Sequence, residues 1–254
     1  MMESNIEQVT QALLAARRDR QPLATGPHAS ALSEAAEAYA VQDALVSSLA
    51  AQPKGVPRHW KTGGLGREGL YPHAPLPAEG VWSSPADARG WHFNICLVEA
   101  EIALRLGRDV TPSQAAAATL ADALEWVDAM TVSIELVDSR WTGDVPPLLK
   151  LADLQAHGAL VLGPWMPFAA RDWAAQACNV RIGGKLPVDK RGTHPLGDPA
   201  APLPGWLRHV TRNGATVPAR TLVTTGSWCG MLATAPGDHV LVRFDGIGEA
   251  SVQL

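Results

Sequence analysis

The chain has little sulfur chemistry. Its three cysteines, Cys96, Cys178 and Cys229, are odd in number, widely scattered and without a C-x-x-C pair. That argues against a disulfide framework or a thiolate zinc cluster and predicts a reducing, cytoplasmic setting. Basic excess is also missing: 21 Lys plus Arg stand against 25 Asp plus Glu, a formal charge of -4, so nucleic acid is not an expected partner. No run approaches eighteen uncharged apolar residues, and "MMESNIEQVTQALLAARRDR" lacks a basic start followed by an apolar stretch. Neither a secretory leader nor a membrane-spanning helix is expected. The eight histidines show no H-x-x-x-H or H-E-x-x-H spacing, which disfavours a zinc hydrolase. Tyrosine and phenylalanine are scarce at two and three against nine tryptophans, and the spread from Trp60 to Trp228 suggests aromatic lining of a core or pocket.

What remains is the composition of a folded protein. At 254 residues, 46% hydrophobic and 18% charged, the chain is long enough for one large core with or without a smaller appendage. Ile6, Val9, Leu13 and Leu14 follow helical spacing over residues 5–20, with Ser4 as N-cap and Glu7 three positions on. A second, Ala-rich helix is expected over 30–51. After Pro53 glycines and prolines permit only short strands and turns, so the division expected is a helical region over 1–55 and a β-rich catalytic domain over 56–254. Strand-like runs follow in "ICLVEAEIALRL", "MTVSIELV", "ALVLG", "RTLVTTG", "HVLVRFDGI" and "EASVQL". Helical stretches are expected near 113–124 and 203–212. The last two strands are joined through "DGIG" as a hairpin. The fold class is α+β.

One strand carries an anomaly. "LVEAEIALRL" places Glu99 and Glu101 in an otherwise apolar run; alternation puts both on one face, roughly 7 Å apart, with Val98, Ala100, Ile102 and Leu104 on the other. Glu135 interrupts "TVSIELVDSRW" in the same way. Three carboxylates without neighbouring His or Cys suit a hard cation, Mg²⁺ or Mn²⁺, with coordination positions left for a chelating ligand. The same pattern also fits the solvated face of a one-sided antiparallel sheet. Asp138 and Arg140 in "VDSRW" read as a supporting ion pair, and His59 and His157 as ordinary hydrogen-bonded histidines near the motifs.

Together, "AYAVQDALV", "HWKTGG", "VEAEIALRLGRDV", "IELVDSRW", "ARTLVTTGS" and the closing "FDGIGEASVQL" resemble, in order and spacing, the 2-oxopent-4-enoate hydratase and 4-oxalocrotonate decarboxylase group of the fumarylacetoacetate hydrolase superfamily. The resemblance covers most of the chain. It implies a mixed, rolled β-sheet core preceded by helices, metal ligation by Glu99, Glu101 and Glu135, an active-site role for Lys61, and substrate contact by Thr225, Gly226 and Ser227. Two departures stand out. The family's Pro-Asp-x-Gly turn becomes "PAEG", with Ala78 in the acidic place and Glu79 next to it. Its "ADN" becomes "ADL", with Leu154 for the Asn.

The function so implied is metal-dependent addition of water to a 2-hydroxy-2,4-dienoate in aromatic-compound degradation. A vinylogous 2-oxo-acid decarboxylase is the neighbouring alternative. Ala78 and Leu154 motivate a third reading, a catalytically impaired partner subunit. The expected partners are a small 2-oxo or 2-hydroxydienoic acid, further copies of the chain in a homo-oligomer, and a pathway decarboxylase or hydratase.

Overall fold

The computed structural model describes residues 4–49, 55–64 and 71–254. Helix α1, Asn5–Asp19, begins as its sequence predicts: the Ser4 hydroxyl accepts from the Glu7 amide at 3.2 Å. Helix α2, Ala35–Ser48, starts later than expected. Glu34 and Glu37 form a reciprocal capping box there, and Ser33 donates both its amide and its hydroxyl to Glu37, so the chain before Glu34 has no reason to wind. The expected end of this helix at 50–51 lies outside the described residues, as does 65–70 of the glycine-rich stretch. The helix expected near 113–124 is two: α3, Pro112–Ala117, and α4, Leu120–Glu125, separated because Thr119 and Asp122 cap the second one reciprocally. Two short helices follow, α5, Pro147–Ala152, and α6, Leu203–Val210.

In chain order the main strands are β1 His59–Thr62, β2 His73–Pro75, β3 Val81–Ser83, β4 Leu97–Leu106, β5 Val127–Val137 and β6 His157–Leu162. After them come β7 Ala177–Ile182, β8 Val188–Arg191, β9 Leu222–Thr224, β10 His239–Phe244 and β11 Gly248–Gln253. A nine-stranded sheet runs β2-β1-β9-β4-β5-β6-β3, with the two-residue strands Met166–Pro167 and Leu232–Ala233 attached to β5 and β4. It is mixed: β9 with β1 and β3 with β6 are parallel, whereas β4 and β5 form its long antiparallel centre. A five-stranded sheet holds β8-β7-β10-β11 and Ala86–Asp87, and β10 and β11 make the expected hairpin. The α+β expectation, helices followed by mixed β-sheet, is met.

The main core lies between the sheets. Val98, Ala100, Ile102 and Leu104 of β4 pack with Val240, Val242, Phe244, Ala250 and Val252 of the smaller sheet. This fixes the direction of the glutamates, because the alternate residues of β4 must face the other way. Trp60, Trp206 and Trp228 belong to this core and Trp141 to a second one. In that second core Val9, Leu13, Val41 and Leu45 of the first two helices pack with Trp141, Leu149, Ala152 and Leu154. No helix among the described residues is long and apolar enough to cross a membrane.

Candidate active site

Strand register brings the carboxylates together. Glu99 sits directly opposite Glu135, and Glu101 opposite Ser133; one oxygen from each of the three glutamates lies within 4.8 Å of the others. Glu101 and Glu135 are buried, and Glu99 is partly so. The solvated-face alternative therefore fails for this sheet. Burying three acids in one place is costly unless a cation joins them. Burial, reinforced by Glu135 and Glu99, pushes Glu101 up to about 8, and burial with Glu135 raises Glu99. Burial alone would also raise Glu135, but Lys61 and His157 outweigh it and hold that carboxyl low.

Lys61 reaches the triad from β1. Its ammonium lies 2.5 Å from Glu135 Oε1 and 3.3 Å from the Gln155 carbonyl. Burial opposes its charge, yet Glu135, Glu99 and Glu101 prevail and raise its pKa. The lysine is thus a buried ammonium rather than a free amine. His157, fully buried, donates Nδ1–H to Glu135 Oε1 at 3.2 Å, and burial lowers its own pKa.

The loop after β9 divides by alternation. Thr224 pairs with Ala103, on the face of Glu101, and donates to Glu101 at 2.5 Å while its oxygen meets Ser133 Oγ at 2.8 Å. Thr225 points the other way, fully buried, and donates to the Ile102 carbonyl at 2.8 Å. Gly226, at φ 94, and Ser227 border the cavity. A Cβ on Gly63 would lie 3.4 Å from Gly226 Cα, so the two glycine turns abut at the cavity edge.

That cavity, about 440 Å³, is bordered by Lys61, Glu99, Glu101, Lys150, Gln155 and Ser227, with Val137, Pro195, Trp228 and Met231 as its apolar part. The two departures from the family pattern do not reach it. Ala78 is exposed on a short 3₁₀ turn, and Leu154 is fully buried in the second core. Glu79 borders a different cavity with Arg17, Arg20 and Arg140. His59 is half-buried and does not line the glutamate cavity either.

Gln155 enters through unusual backbone. Leu154, Gln155 and Ala156 hold φ of 50, 55 and 57, a left-handed run that costs about 1–2 kcal/mol per residue. Asp153 anchors it: its carboxylate accepts from the Arg140 amide at 2.8 Å and Nε at 2.7 Å and from Arg17 at 3.3 Å. Arg140 also donates to the His157 carbonyl at 2.8 Å and to Asp138 at 3.3 Å. The Asp138–Arg140 pair exists, but Asp153 is the stronger partner. The contact of Thr224 with Glu101, the place of Gln155 and the closeness of His157 to Glu135 escape a sequence reading. The signals are the doubled Thr of "TTGS" and a Gln two residues after Asp153.

The residues fit a bound cation. Glu135 Oε2 is buried and has no hydrogen-bond partner among the described residues, and the site is an all-oxygen donor set of the kind Mg²⁺ and Mn²⁺ take.

Three comparisons bear on this geometry. The family model "Fumarylacetoacetate (FAA) hydrolase C-terminal" matches residues 84–254. Over 159 residues the chain is 33% identical to 2-keto-4-pentenoate hydratase 1 of Dechloromonas aromatica (strain RCB), covering 61% of this chain and 58% of that enzyme. Over 136 residues it is 26% identical to 4-oxalocrotonate decarboxylase of Pseudomonas putida, covering 53% and 52%. The chain thus spans little more than half the length of these relatives. A solved structure, 4-oxalocrotonate decarboxylase from Pseudomonas putida G7 complexed with magnesium and adipate, superposes with a TM-score of 0.83 at 18% identity, covering 100% of this chain and 98% of that one. That likeness is one of fold.

Proposed function

The chain belongs to the fumarylacetoacetate hydrolase family, and from that premise we propose that it is a divalent-metal-dependent hydratase, adding water to a 2-hydroxy-2,4-dienoate of the 2-oxopent-4-enoate type to give a 4-hydroxy-2-oxo acid. The observation that carries this reading is the convergence of Glu99, Glu101 and Glu135 beside the Lys61 ammonium, with Glu99, Glu101 and Lys61 on one cavity. The 33% identity to a 2-keto-4-pentenoate hydratase supports it.

Glu99, Glu101 and Glu135 would hold Mg²⁺ or Mn²⁺, which supplies Lewis-acid polarisation of a 2-oxo group and its neighbouring carboxylate. The chain's own groups do the rest. Lys61, kept charged by three carboxylates, holds the substrate's acid end or hands a proton to it. Thr224 fixes Glu101 in one rotamer, and His157 does the same for Glu135. Gly226 lets the loop approach the substrate without a side chain, and Ser227 presents a hydroxyl at the cavity edge. Val137, Pro195, Trp228 and Met231 cover the hydrocarbon part and keep bulk water from it. In the net reaction the enol proton is lost, a proton is gained at carbon 5, and hydroxyl and hydrogen from water end at carbons 4 and 3. The same reading includes aromatic-compound degradation in the cytoplasm by a homo-oligomer.

A second reading, decarboxylation of a vinylogous 2-oxo dicarboxylic acid, is favoured by Lys150. It is a second ammonium on the cavity wall, and it makes no ion pair among the described residues. One assay separates the two: freshly generated 2-hydroxypenta-2,4-dienoate and 4-oxalocrotonate, each with Mg²⁺, with Mn²⁺ and with EDTA. Metal-dependent loss of the dienol with formation of 4-hydroxy-2-oxopentanoate is the expected result. CO₂ release from 4-oxalocrotonate alone transfers the proposal to the decarboxylase, and no turnover of either leaves the partner-subunit reading.

A further inference from the structure

Three buried polar atoms around Lys61 have no hydrogen-bond partner among the described residues: Glu135 Oε2, His157 Nε2 and Gln155 Nε2. The last is the least expected. A buried amide donor left unpaired is destabilising, and this one stands on a left-handed residue, φ 55, flanked by two more. Backbone strain of this kind persists where the surroundings over-determine it, and it gathers at functional sites. Here the surroundings are identifiable. Asp153, tied to Arg140 and Arg17, anchors the start of the run, Leu154 is locked into the helical core, and Lys61 donates to the Gln155 carbonyl. The backbone of the run is thus held in place, and Gln155 is one of the residues that line the cavity bordered by Glu99 and Glu101.

We propose that the Gln155 amide donates a hydrogen bond to an oxygen of the bound 2-oxo acid, making Gln155 a specificity-determining residue of this cavity. The proposal rests on the functional reading above. An amide N–H needs an acceptor, and a 2-oxo acid offers carboxylate and oxo oxygens. The substrate thus completes a hydrogen bond that the free protein leaves open.

The test uses the full chain as wild type, Gln155→Met and Gln155→Glu. Methionine keeps the length and the main-chain carbonyl that Lys61 needs but removes the donor; glutamate keeps the shape and sets a negative charge against the acid. The probe is 2-oxopentanoate, a saturated acid that cannot be hydrated, titrated by calorimetry with Mg²⁺ present. Gln155→Met is expected to weaken 2-oxopentanoate binding about tenfold or more, and Gln155→Glu further. Magnesium affinity without the acid should stay unchanged in Gln155→Met, and its melting temperature should equal or exceed that of wild type, because an unpaired buried donor has gone. For the dienoate, KM should rise about tenfold with kcat within roughly threefold. Equal affinity of wild type and Gln155→Met for 2-oxopentanoate overturns the inference alone. Wild type that binds no 2-oxo acid overturns the functional reading and this inference with it. Should Gln155→Met fail to fold, Gln155→Glu carries the same comparison, and unweakened binding there is equally fatal.

Discussion

At the scale of single residues the site is a balance of charge. Lys61 and Glu135 are both buried, so removing either strands the other. Lys61→Met is expected to destabilise the protein by roughly 3–5 kcal/mol in urea denaturation and to abolish turnover. Glu101 sets the response to pH. Its folded value of about 8 lies above the ordinary 4.5. Between those values the folded, metal-free protein keeps a proton that the unfolded chain has lost. Stability therefore falls as pH rises across that window. Glu135 works in the opposite sense: its lowered pKa contributes stability that is lost as pH drops through its folded value. Glu101→Gln should flatten the decline toward pH 8, leaving the part that the raised Glu99 contributes, and leave the circular dichroism spectrum intact while abolishing activity. In the wild type, Mg²⁺ binding at pH 7 should release close to one proton, read from calorimetry in two buffers of different ionisation enthalpy. Full turnover by Glu101→Gln would end the metal-triad argument.

At the scale of elements, the connection from α5 to β6 matters most. Its left-handed run places Gln155 at the cavity and His157 at the start of the strand that pairs with β5. Ala156, at φ 57, tolerates this conformation because it is small. Ala156→Val adds a β-branched side chain where the backbone disfavours one. The expected loss is about 2 kcal/mol, checked by thermal unfolding, with a fall in kcat/KM because Lys61 and Gln155 lose their common anchor. Nothing in "ADLQAHG" signals this geometry, since none of its three left-handed positions is a glycine. It is imposed by Asp153 and Arg140, thirteen residues apart, and by Arg17 from α1.

At the scale of the molecule, the helical region and the site are coupled through packing and charge. Val9, Leu13, Val41 and Leu45 share a core with Leu149, Ala152 and Leu154, and Arg17 reaches Asp153. A chain beginning at residue 56 would expose that core and leave the Asp153 cluster short of one cation. It is expected to be insoluble or molten, shown by a lost near-ultraviolet circular dichroism signal, and to lack metal-dependent thermal stabilisation. In the intact protein, saturating Mg²⁺ should raise the melting temperature and EDTA should reverse the rise.

Much of this protein follows from sequence alone: the helix-then-strand order, the cap at Ser4, the hairpin through "DGIG", and the shared face of Glu99 and Glu101. These are local properties, set by side-chain periodicity and turn chemistry over a few residues; the same pattern singled out Glu135 as the third acid, and the family resemblance implied that all three bind metal. Tertiary structure decided what is non-local. It placed Glu99 opposite Glu135 through strand register and turned Thr224 rather than Thr225 toward Glu101. It sent Leu154 into the helical core and Gln155 to the cavity, and it made Lys61 a charged ammonium although buried. Each outcome depends on groups distant in sequence meeting in a low-dielectric interior, where a neighbour's charge or a one-residue change of face outweighs anything the adjoining residues prescribe.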